Sequence, residues 1–414
     1  MSSSKFLTFA ALSALTPILL ASATQAAGPV PVAPAFKLSG CATCRQSNPR
    51  LAGTPNGKLI TAFDIELIPP APVVQARVFP ATGVAPKAFR PQASLTPAQY
   101  DAAVAANKGG AFVVAWSTVD TARNSDIFVQ RYGSDAKPVG ATLPVSLDPA
   151  GVQVLDTAPS VAIGSDGAFT VAWIRIVPQG QPDPTGPQIW ARRYSATGIP
   201  AGPPLKVADT LIGNFRPSVC VDTSGKSIFV FATIDQDRPF ESSKIGVSMR
   251  RMGPKGLLNG GVVVVAPALG YESHPVVSCG LAGAFVIAWE SNQAPVTTFG
   301  NIVAQRYNAN AARVGSPFIV SATADRQRTP AIAHDAEGNF VIVWQGLGSS
   351  LSGIYGQRFS PTGAALGARF TVTEAEFAST TVPTVAAAGA ADAFAVAWRN
   401  LQTGLFARRF KIVK

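Results

Sequence analysis

Charged residues, histidine and helical periodicity are all scarce in this chain. Only 14% of its 414 residues are charged and two are histidine, so few side chains are available for acid–base catalysis. No long segment after the N-terminus places apolar residues at i, i+3, i+4 and i+7, which argues against a helical protein. Gly-x-Ser-x-Gly elbows, phosphate-binding loops and His-Glu-x-x-His sequences are also absent. We therefore predict no cofactor and no metal site.

Glycine and proline are abundant, with 37 and 34 residues, which is typical of short strands joined by many turns. The segment Gly338–Trp344 reads as a glycine turn followed by an apolar strand that ends in tryptophan. Similar segments end at other aromatic anchors, and in most copies a proline lies 14 or 15 residues earlier. The anchors are Phe63, Trp116, Trp173, Phe231, Trp289, Trp344 and Trp398, spaced by 53 to 58 residues. The sequence therefore contains seven repeats.

An arginine followed by a large apolar residue comes after every anchor. These arginines are Arg77, Arg131, Arg193, Arg251, Arg306, Arg358 and Arg409. Each repeat then offers four strand signals: A starts at the proline, B ends at the anchor, C carries the arginine, and D precedes the next proline. Four short strands in every repeat are typical of the blades of a β-propeller.

The two ends of the chain indicate how the ring closes. The last repeat stops after strand C, while residues 35–39 near the N-terminus resemble a strand D. We predict an all-β, seven-bladed propeller with four-stranded antiparallel blades, formed by residues 28–414, in which residues 35–39 complete the last blade. Closure would remove two open sheet edges. An open solenoid is the alternative, and it leaves the N-terminal strand without a partner.

Residues 1–27 have the features of a secretory signal peptide. Lys5 precedes an apolar stretch interrupted by Pro17, and small residues follow at 21–27. We expect an exported protein, periplasmic or extracellular, with no transmembrane segment in the mature chain. The formal charge of +11 could serve anionic partners, or it could only keep the protein soluble. We favour the second interpretation, because no run of Lys or Arg exceeds two residues, and no specific nucleic-acid motif is present.

The repeated arginine has two interpretations. It could form a basic ring for an anionic polymer, because its forked donors suit carboxylate or sulfate. It could instead pack between blades, with its head group bonded to loop carbonyls. We favour the structural interpretation, because a residue present in every blade serves the blade.

The four cysteines are Cys41, Cys44, Cys220 and Cys279. The first two form a CxxC without the His of haem attachment, and a local disulfide is favoured in an oxidising compartment. Cys220 and Cys279 lie in strands A of neighbouring repeats, three and four residues after their prolines. Their side chains should therefore leave opposite faces of their sheets, as a bridge between adjacent blades requires. A disulfide also requires Cα atoms within about 7 Å of each other, which is met only where inner strands of neighbouring blades converge. Free thiols therefore remain the alternative.

The loops between strands B and C are long and dissimilar, whereas the A–B turns are short. Binding residues concentrate in irregular loops on a rigid scaffold. We therefore expect any ligand, an unknown protein or an anionic glycan, on the face formed by the B–C and D–A loops. Candidate binding residues there are Arg175, Arg216, Asp235, Arg238, His274, Glu290 and Arg326.

Phe285–Trp289, Gln305–Tyr307 and Gly363–Gly367 together resemble the repeats of exported bacterial β-propeller proteins, over about residues 35–414. The resemblance implies the fold and export but carries no catalytic residues. We accordingly predict a secreted or periplasmic, non-catalytic binding scaffold with no catalytic residue. The alternative is a propeller enzyme of glycoside hydrolase or lyase type that acts on an anionic polysaccharide, with paired carboxylates near the channel, such as Asp235 with Glu290.

Overall fold

A computed structural model of the protein describes residues 28–413, apart from 40, 42–43, 67–70, 83–85, 93–96, 123, 147–151, 181–185, 211–215, 235–244, 268–269, 293–299, 322–324, 349–351, 375–379 and 390–392. The predicted signal peptide lies outside these residues. Apart from one 3-10 turn at Leu281–Gly283, the regular elements in the described part are all β-strands.

In chain order the strands are β1 (Pro29–Pro31), β2 (Phe36–Lys37), β3 (Arg45–Gly53), β4 (Leu59–Glu66), β5 (Val73–Phe79), β6 (Lys87–Phe89), β7 (Ala98–Ala106), β8 (Phe112–Val119), β9 (Ser125–Tyr132), β10 (Leu143–Pro144), β11 (Leu155–Ile163), β12 (Phe169–Ile176), β13 (Gln188–Tyr194), β14 (Leu205–Asp209), β15 (Ser218–Val221), β16 (Ser227–Ile234), β17 (Ile245–Met252), β18 (Leu258–Ala266), β19 (Glu272–Cys279), β20 (Phe285–Ser291), β21 (Asn301–Tyr307), β22 (Arg313–Ser321), β23 (Arg326–His334), β24 (Phe340–Leu347), β25 (Gly353–Phe359), β26 (Phe370–Thr371), β27 (Thr380–Ala387), β28 (Ala393–Asn400) and β29 (Gly404–Ile412).

Consecutive strands pair into antiparallel sheets. Four sheets have four strands each, and they begin at β3, β15, β19 and β23. An eight-stranded sheet contains β7–β10 and β11–β14, which are joined through one parallel pair, Leu155 with Ser125. In the last sheet, β27 and β28 are followed by β29, and the N-terminal strands β1 and β2 both pair with β29. The protein is thus an all-β propeller.

Strand β2 occupies the place predicted for the N-terminal segment. Phe36 lies opposite Ala407, and Lys37 lies opposite Phe406. The additional strand β1, which the sequence did not reveal, pairs Pro29 with Ile412. The first and last strands of the described chain therefore meet in one sheet.

The regularly spaced prolines mark a bulge and not the start of strand A, which corrects the sequence-based boundary. In β11, for example, the strand begins at Leu155, and the register shifts between Thr157 and Ser160 around Pro159. Proline has no N–H to give to the ladder, so an extra residue is accommodated there. The residue before this position has a positive φ in six repeats: Asn48, Asp101, Ala158, His274, Thr329 and Val382.

The anchors form the core between sheets. Six of them are 0% exposed and Trp289 is 3% exposed, so they have no surface for stacking a ligand. Across strands B and C, aromatic rings stack, as in Phe169–Tyr194 with centroids 4.8 Å apart. In the described part, six buried clusters each combine two repeats that are neighbours along the chain. The cluster around Phe63 instead joins the first repeat to the last.

Several of the repeated arginines link one repeat to the next. Arg131 donates to the carbonyl of Ala196 at 2.8 Å, and Arg193 donates to that of Pro254 at 3.0 Å. Arg306 donates to the carbonyl of Pro361 in the same way. Arg358 instead pairs within its own repeat, with its Nη2 3.8 Å from Asp335 Oδ2. Arg77 bonds Gln75 at 3.3 Å, and Arg251 lies opposite Asn259 in its sheet. Arg409 reaches the carbonyls of Gly57 and Pro80, at 2.5 and 2.6 Å, in the first repeat.

Both predicted disulfides are present. Cys41 bonds Cys44, and Cys220 bonds Cys279 across β15 and β19, with Cα atoms 5.6 Å apart in each pair. The second bridge confirms the argument from side-chain parity, because inner strands of neighbouring repeats approach closely enough to be joined.

Candidate active site

The bulges carry polar residues of neighbouring repeats to one end of the circle of inner strands. Asp64, two residues before the end of β4, accepts a hydrogen bond from the Asn48 amide at 2.7 Å. It also accepts bonds from the backbone N–H groups of Asp101 and Ala102, both at 3.1 Å. Two carboxylates from adjacent repeats, Asp64 and Asp101, are thereby held close together at the loop face.

Arg216 reaches Asp101 from two repeats further along the chain. Its Nη2 lies 3.1 Å from Asp101 Oδ1, and its Nη1 donates to the carbonyls of Asp101, Ala102 and Pro159. The side chain of Arg216 is about one-fifth exposed. A guanidinium with so many fixed acceptors is held in one orientation, and it supplies a positive charge beside Asp101.

An open cavity of about 360 Å³ lies against these carboxylates. Asp64, Glu66, Tyr100 and Asp101 contribute to its walls, together with hydroxyl groups such as that of Ser117. Carboxylates, hydroxyls and one aromatic side chain can bind a polyhydroxylated molecule.

The two aspartates have different electrostatic surroundings. Burial raises the pKa of Asp64 above the usual aspartate range and the Asp101 carboxylate adds to this effect, although hydrogen bonds from Asn48 and the backbone oppose it. Asp101 lies beside the guanidinium of Arg216. Burial and the charge of Arg216 also lower the pKa of Arg50, a nearby residue in β3, to about 9. One carboxyl group therefore favours its protonated form more than an ordinary aspartate does.

Three of the predicted binding residues form a second cluster at the same face. His274, Arg326 and Arg328, the last not among the predicted residues, all lie within 3.6 Å of the Glu290 carboxylate. Arg216 belongs to the first cluster. Asp235 and Arg238 lie outside the described residues, and the predicted pairing of Asp235 with Glu290 lies outside them too.

Arg175 is engaged inside the protein. Its guanidinium bonds the buried Asp156 through Nε at 2.9 Å and Nη2 at 2.5 Å, and it stacks over Trp190. The same Asp156 accepts the indole N–H of Trp173 at 2.8 Å. Since Arg175 is 5% exposed, this arrangement is an internal ion pair.

Glu272 has the raised pKa expected of a general acid but the surroundings of a structural residue. Burial raises its pKa to about 7, although hydrogen bonds from Ser291 and Trp289 lower it. It is 1% exposed and accepts the Trp289 indole N–H and the Ser291 hydroxyl. Asp156 binds Trp173 from the same repeat position, so we assign Glu272 to the blade and not to the cavity.

The sequence did not single out Asp64 or Asp101. Two features of their positions in the repeat could have identified them. Asp64 directly follows the anchor Phe63, as Glu290 follows Trp289. Asp101 directly precedes the bulge position, which proline occupies in most repeats. Within the described residues there is no group of three or more His, Cys, Asp or Glu that could hold a metal ion. The described part of the chain also contains no helix that is long and apolar enough to span a membrane.

The chain matches no family model, and it matches no curated protein. Solved structures do resemble its fold. A protein of unknown function from Dyadobacter fermentans has a TM-score of 0.53 at 12% identity, over 93% of this chain and 100% of that one. An α-L-arabinofuranosidase from Fusarium graminearum, in complex with an iminosugar inhibitor, has a TM-score of 0.50 at 10% identity, over 76% and 93%. An α-L-arabinanase from Penicillium chrysogenum, complexed with arabinobiose, has a TM-score of 0.49 at 12% identity, over 93% and 100%.

At these identities the likeness shows the fold alone. The fold nevertheless corrects our functional prediction, because the α-L-arabinofuranosidase that shares it is an enzyme and nothing in the fold favours a non-catalytic protein. The interpretation as a non-catalytic scaffold is therefore contradicted. The sequence lacked the usual catalytic motifs, but two carboxylates far apart in sequence form no motif.

Proposed function

We propose that this protein is an exported propeller enzyme that hydrolyses glycosidic bonds, with Asp64 and Asp101 as its two catalytic carboxyl groups. The observation that carries this proposal is the presence of two carboxyl groups in different surroundings, the buried Asp64 and Asp101 beside Arg216, on the wall of one open cavity. Glycoside hydrolysis requires one carboxylic acid and one carboxylate on either side of the scissile bond.

The surroundings of Asp64 and Asp101 suggest which of them is the acid and which is the negatively charged partner. The raised pKa of Asp64 favours a proton on that residue, which can be donated to the glycosidic oxygen as the bond to the leaving sugar breaks. Asp101, beside Arg216, supplies the negative charge. It either removes a proton from the attacking water or attacks the anomeric carbon directly, and the anomeric configuration of the product distinguishes these two courses.

The proposed ring explains how distant residues meet. The inner strands contact one another in order from β3 to β27, and β27 contacts β3. Together with the Arg409 bonds to the first repeat, this supports a closed ring of seven blades in which β1 and β2 complete the last one. In such a ring the D–A and B–C loops of every blade surround one channel mouth, as active sites on rigid scaffolds commonly require.

Export is supported by the two disulfides, because disulfides persist in oxidising compartments. The fold likeness to the arabinofuranosidase supports the choice of a sugar substrate over other polyhydroxylated molecules.

The test is a hydrolysis screen on a panel of neutral and acidic polysaccharides, scored by new reducing ends. We expect Asp64→Asn and Asp101→Asn each to lower kcat by about 100-fold or more, without loss of thermal stability beyond a few degrees. Asp120→Asn, in an exposed turn of a B–C loop, is the matched control and should retain activity. Turnover that survives both substitutions would refute the assignment, and the absence of turnover on the whole panel would refute the proposed function.

A further inference from the structure

A basic cluster shares the channel mouth with the proposed catalytic pair. His274 Nδ1 lies 3.2 Å from Glu290 Oε2, while Arg326 Nη2 and Arg328 Nε lie 3.4 and 3.6 Å from Oε1. The Glu290 side chain is completely buried, whereas those of His274, Arg328 and Arg326 are 29%, 34% and 40% exposed. The negative charge is thus inside the wall, and the positive groups face solvent.

The cluster has more positive than negative charge. One buried carboxylate balances one of the two guanidinium groups, and the second guanidinium leaves a net positive charge even when His274 is neutral. The cations in turn favour ionised Glu290: burial raises its pKa, but hydrogen bonding and the charges of His274, Arg328 and Arg326 outweigh this and lower it. The carboxylate therefore fixes the arginines in place while their outer N–H donors remain available to an anion.

The residues of this cluster occupy repeat positions that correspond to those around the proposed catalytic pair. Glu290 follows the anchor Trp289 as Asp64 follows Phe63. His274 and Asn48 occupy the same bulge position, with φ of 50° and 51°, and each bonds the carboxylate of its own repeat. The basic cluster in the fifth and sixth repeats therefore lies at the same end of the channel as Asp64 and Asp101 in the first and second.

We infer that Arg326, Arg328 and His274 bind an anionic group of the substrate, a uronate carboxylate or a sulfate ester, while a neutral sugar lies against Asp64 and Asp101. This inference rests on the proposed function for its catalytic half. An acidic saccharide that contains both charged and neutral residues supplies a group for each of these two parts of the mouth.

Equilibrium titration calorimetry of the whole protein tests this without requiring turnover. The probes are an oligosaccharide that alternates glucuronate with a neutral hexosamine, its carboxyl-reduced form, and a reduced form that carries sulfate esters. We expect carboxyl reduction to weaken binding by about tenfold or more, the size of one charge-assisted hydrogen bond. Recovery of affinity by the sulfated form would identify sulfate as an accepted group, and no recovery would identify carboxylate as the specific one.

The informative variant is Arg326→Gln, because Arg328 and His274 still face the buried Glu290 and the fold should be retained. It should bind the charged and reduced probes with nearly equal affinity. Arg369→Gln, which removes a guanidinium that stacks on Tyr355 away from this cluster, should discriminate as the unmodified protein does. Salt should weaken binding of the charged probe and leave the reduced probe unchanged.

The outcomes separate the two proposals. Discrimination between the probes that persists in Arg326→Gln, or that is absent from the unmodified protein, would overturn the anion site. Discrimination that depends on Arg326, in a protein that hydrolyses nothing, would establish the anion site and refute catalysis. Hydrolysis of the acidic oligosaccharide at a rate and affinity unchanged by Arg326→Gln would leave catalysis intact and count against the anion site.

Discussion

Replacing Glu272 by glutamine should stabilise the protein at neutral and alkaline pH. In the unfolded chain this carboxyl group loses its proton near the ordinary glutamate pKa of 4.5, whereas burial holds the folded group protonated up to about pH 7. Between these values the folded state binds more protons, so the free energy of unfolding falls as pH rises. At 1.36 kcal/mol for each pKa unit, ionised Glu272 lowers the free energy of unfolding by about 3 kcal/mol above about pH 7.

Glutamine removes this cost and already fits the position. Gln46, Gln99 and Gln327 stand at the same place in their own repeats, three residues before the bulge position. The amide oxygen replaces only part of what the carboxylate accepts from Trp289 and Ser291, at a cost of about 1 kcal/mol. The net gain should be about 2 kcal/mol near pH 8, and it should vanish or reverse slightly near pH 4.5.

Urea unfolding at several pH values measures the effect, with Glu337→Gln in an exposed turn as the control. The comparison must be between variants, because His334 gives the unmodified protein an opposite slope over nearly the same window. A difference in unfolding free energy between Glu272→Gln and the unmodified protein that stays constant from about pH 5 to pH 8 would refute the reasoning.

Three further predictions concern the frame of the propeller. Burial lowers the pKa of His334 from 6.5 to about 4, so the stability that the neutral ring contributes is lost as pH falls through this range. His334→Gln should therefore flatten the acid side of the plot of urea stability against pH. An unchanged acid slope would count against a buried neutral histidine. Replacing Cys220 and Cys279 by serine should cost about 4 kcal/mol in the chain-entropy model, measured by urea unfolding; a cost near zero would indicate that the closed loop is irrelevant to stability. Arg409→Gln should cost about 1–3 kcal/mol in the same assay and should make the chain ends more sensitive to proteolysis; equal digestion rates would argue against a role in closing the ring.

Much of the fold follows from local pattern. The spacing of the anchors predicts the sheets because each B strand must bury one large aromatic residue, and the glycine turns separate strands A and B. Even the long-range bond between Cys220 and Cys279 follows from parity, since strand geometry decides which face a side chain leaves. The bulge at each proline was missed, because a register shift depends on the partner strand.

The candidate site depended on more than pattern. Asp64 lies 37 residues from Asp101, and Arg216 lies 115 residues beyond Asp101, and none of the spacings between them repeats as a motif. Their proximity arises because inner strands of successive repeats converge at one channel mouth. The sequence by itself determined the repeat and its strands, since these depend on contacts within a repeat, and it showed that the Cys220–Cys279 disulfide was compatible with strand parity. Only the tertiary structure decided which carboxyl groups share a cavity and which, like Glu272, are enclosed between blades, because burial and partner distance are properties of the folded ring.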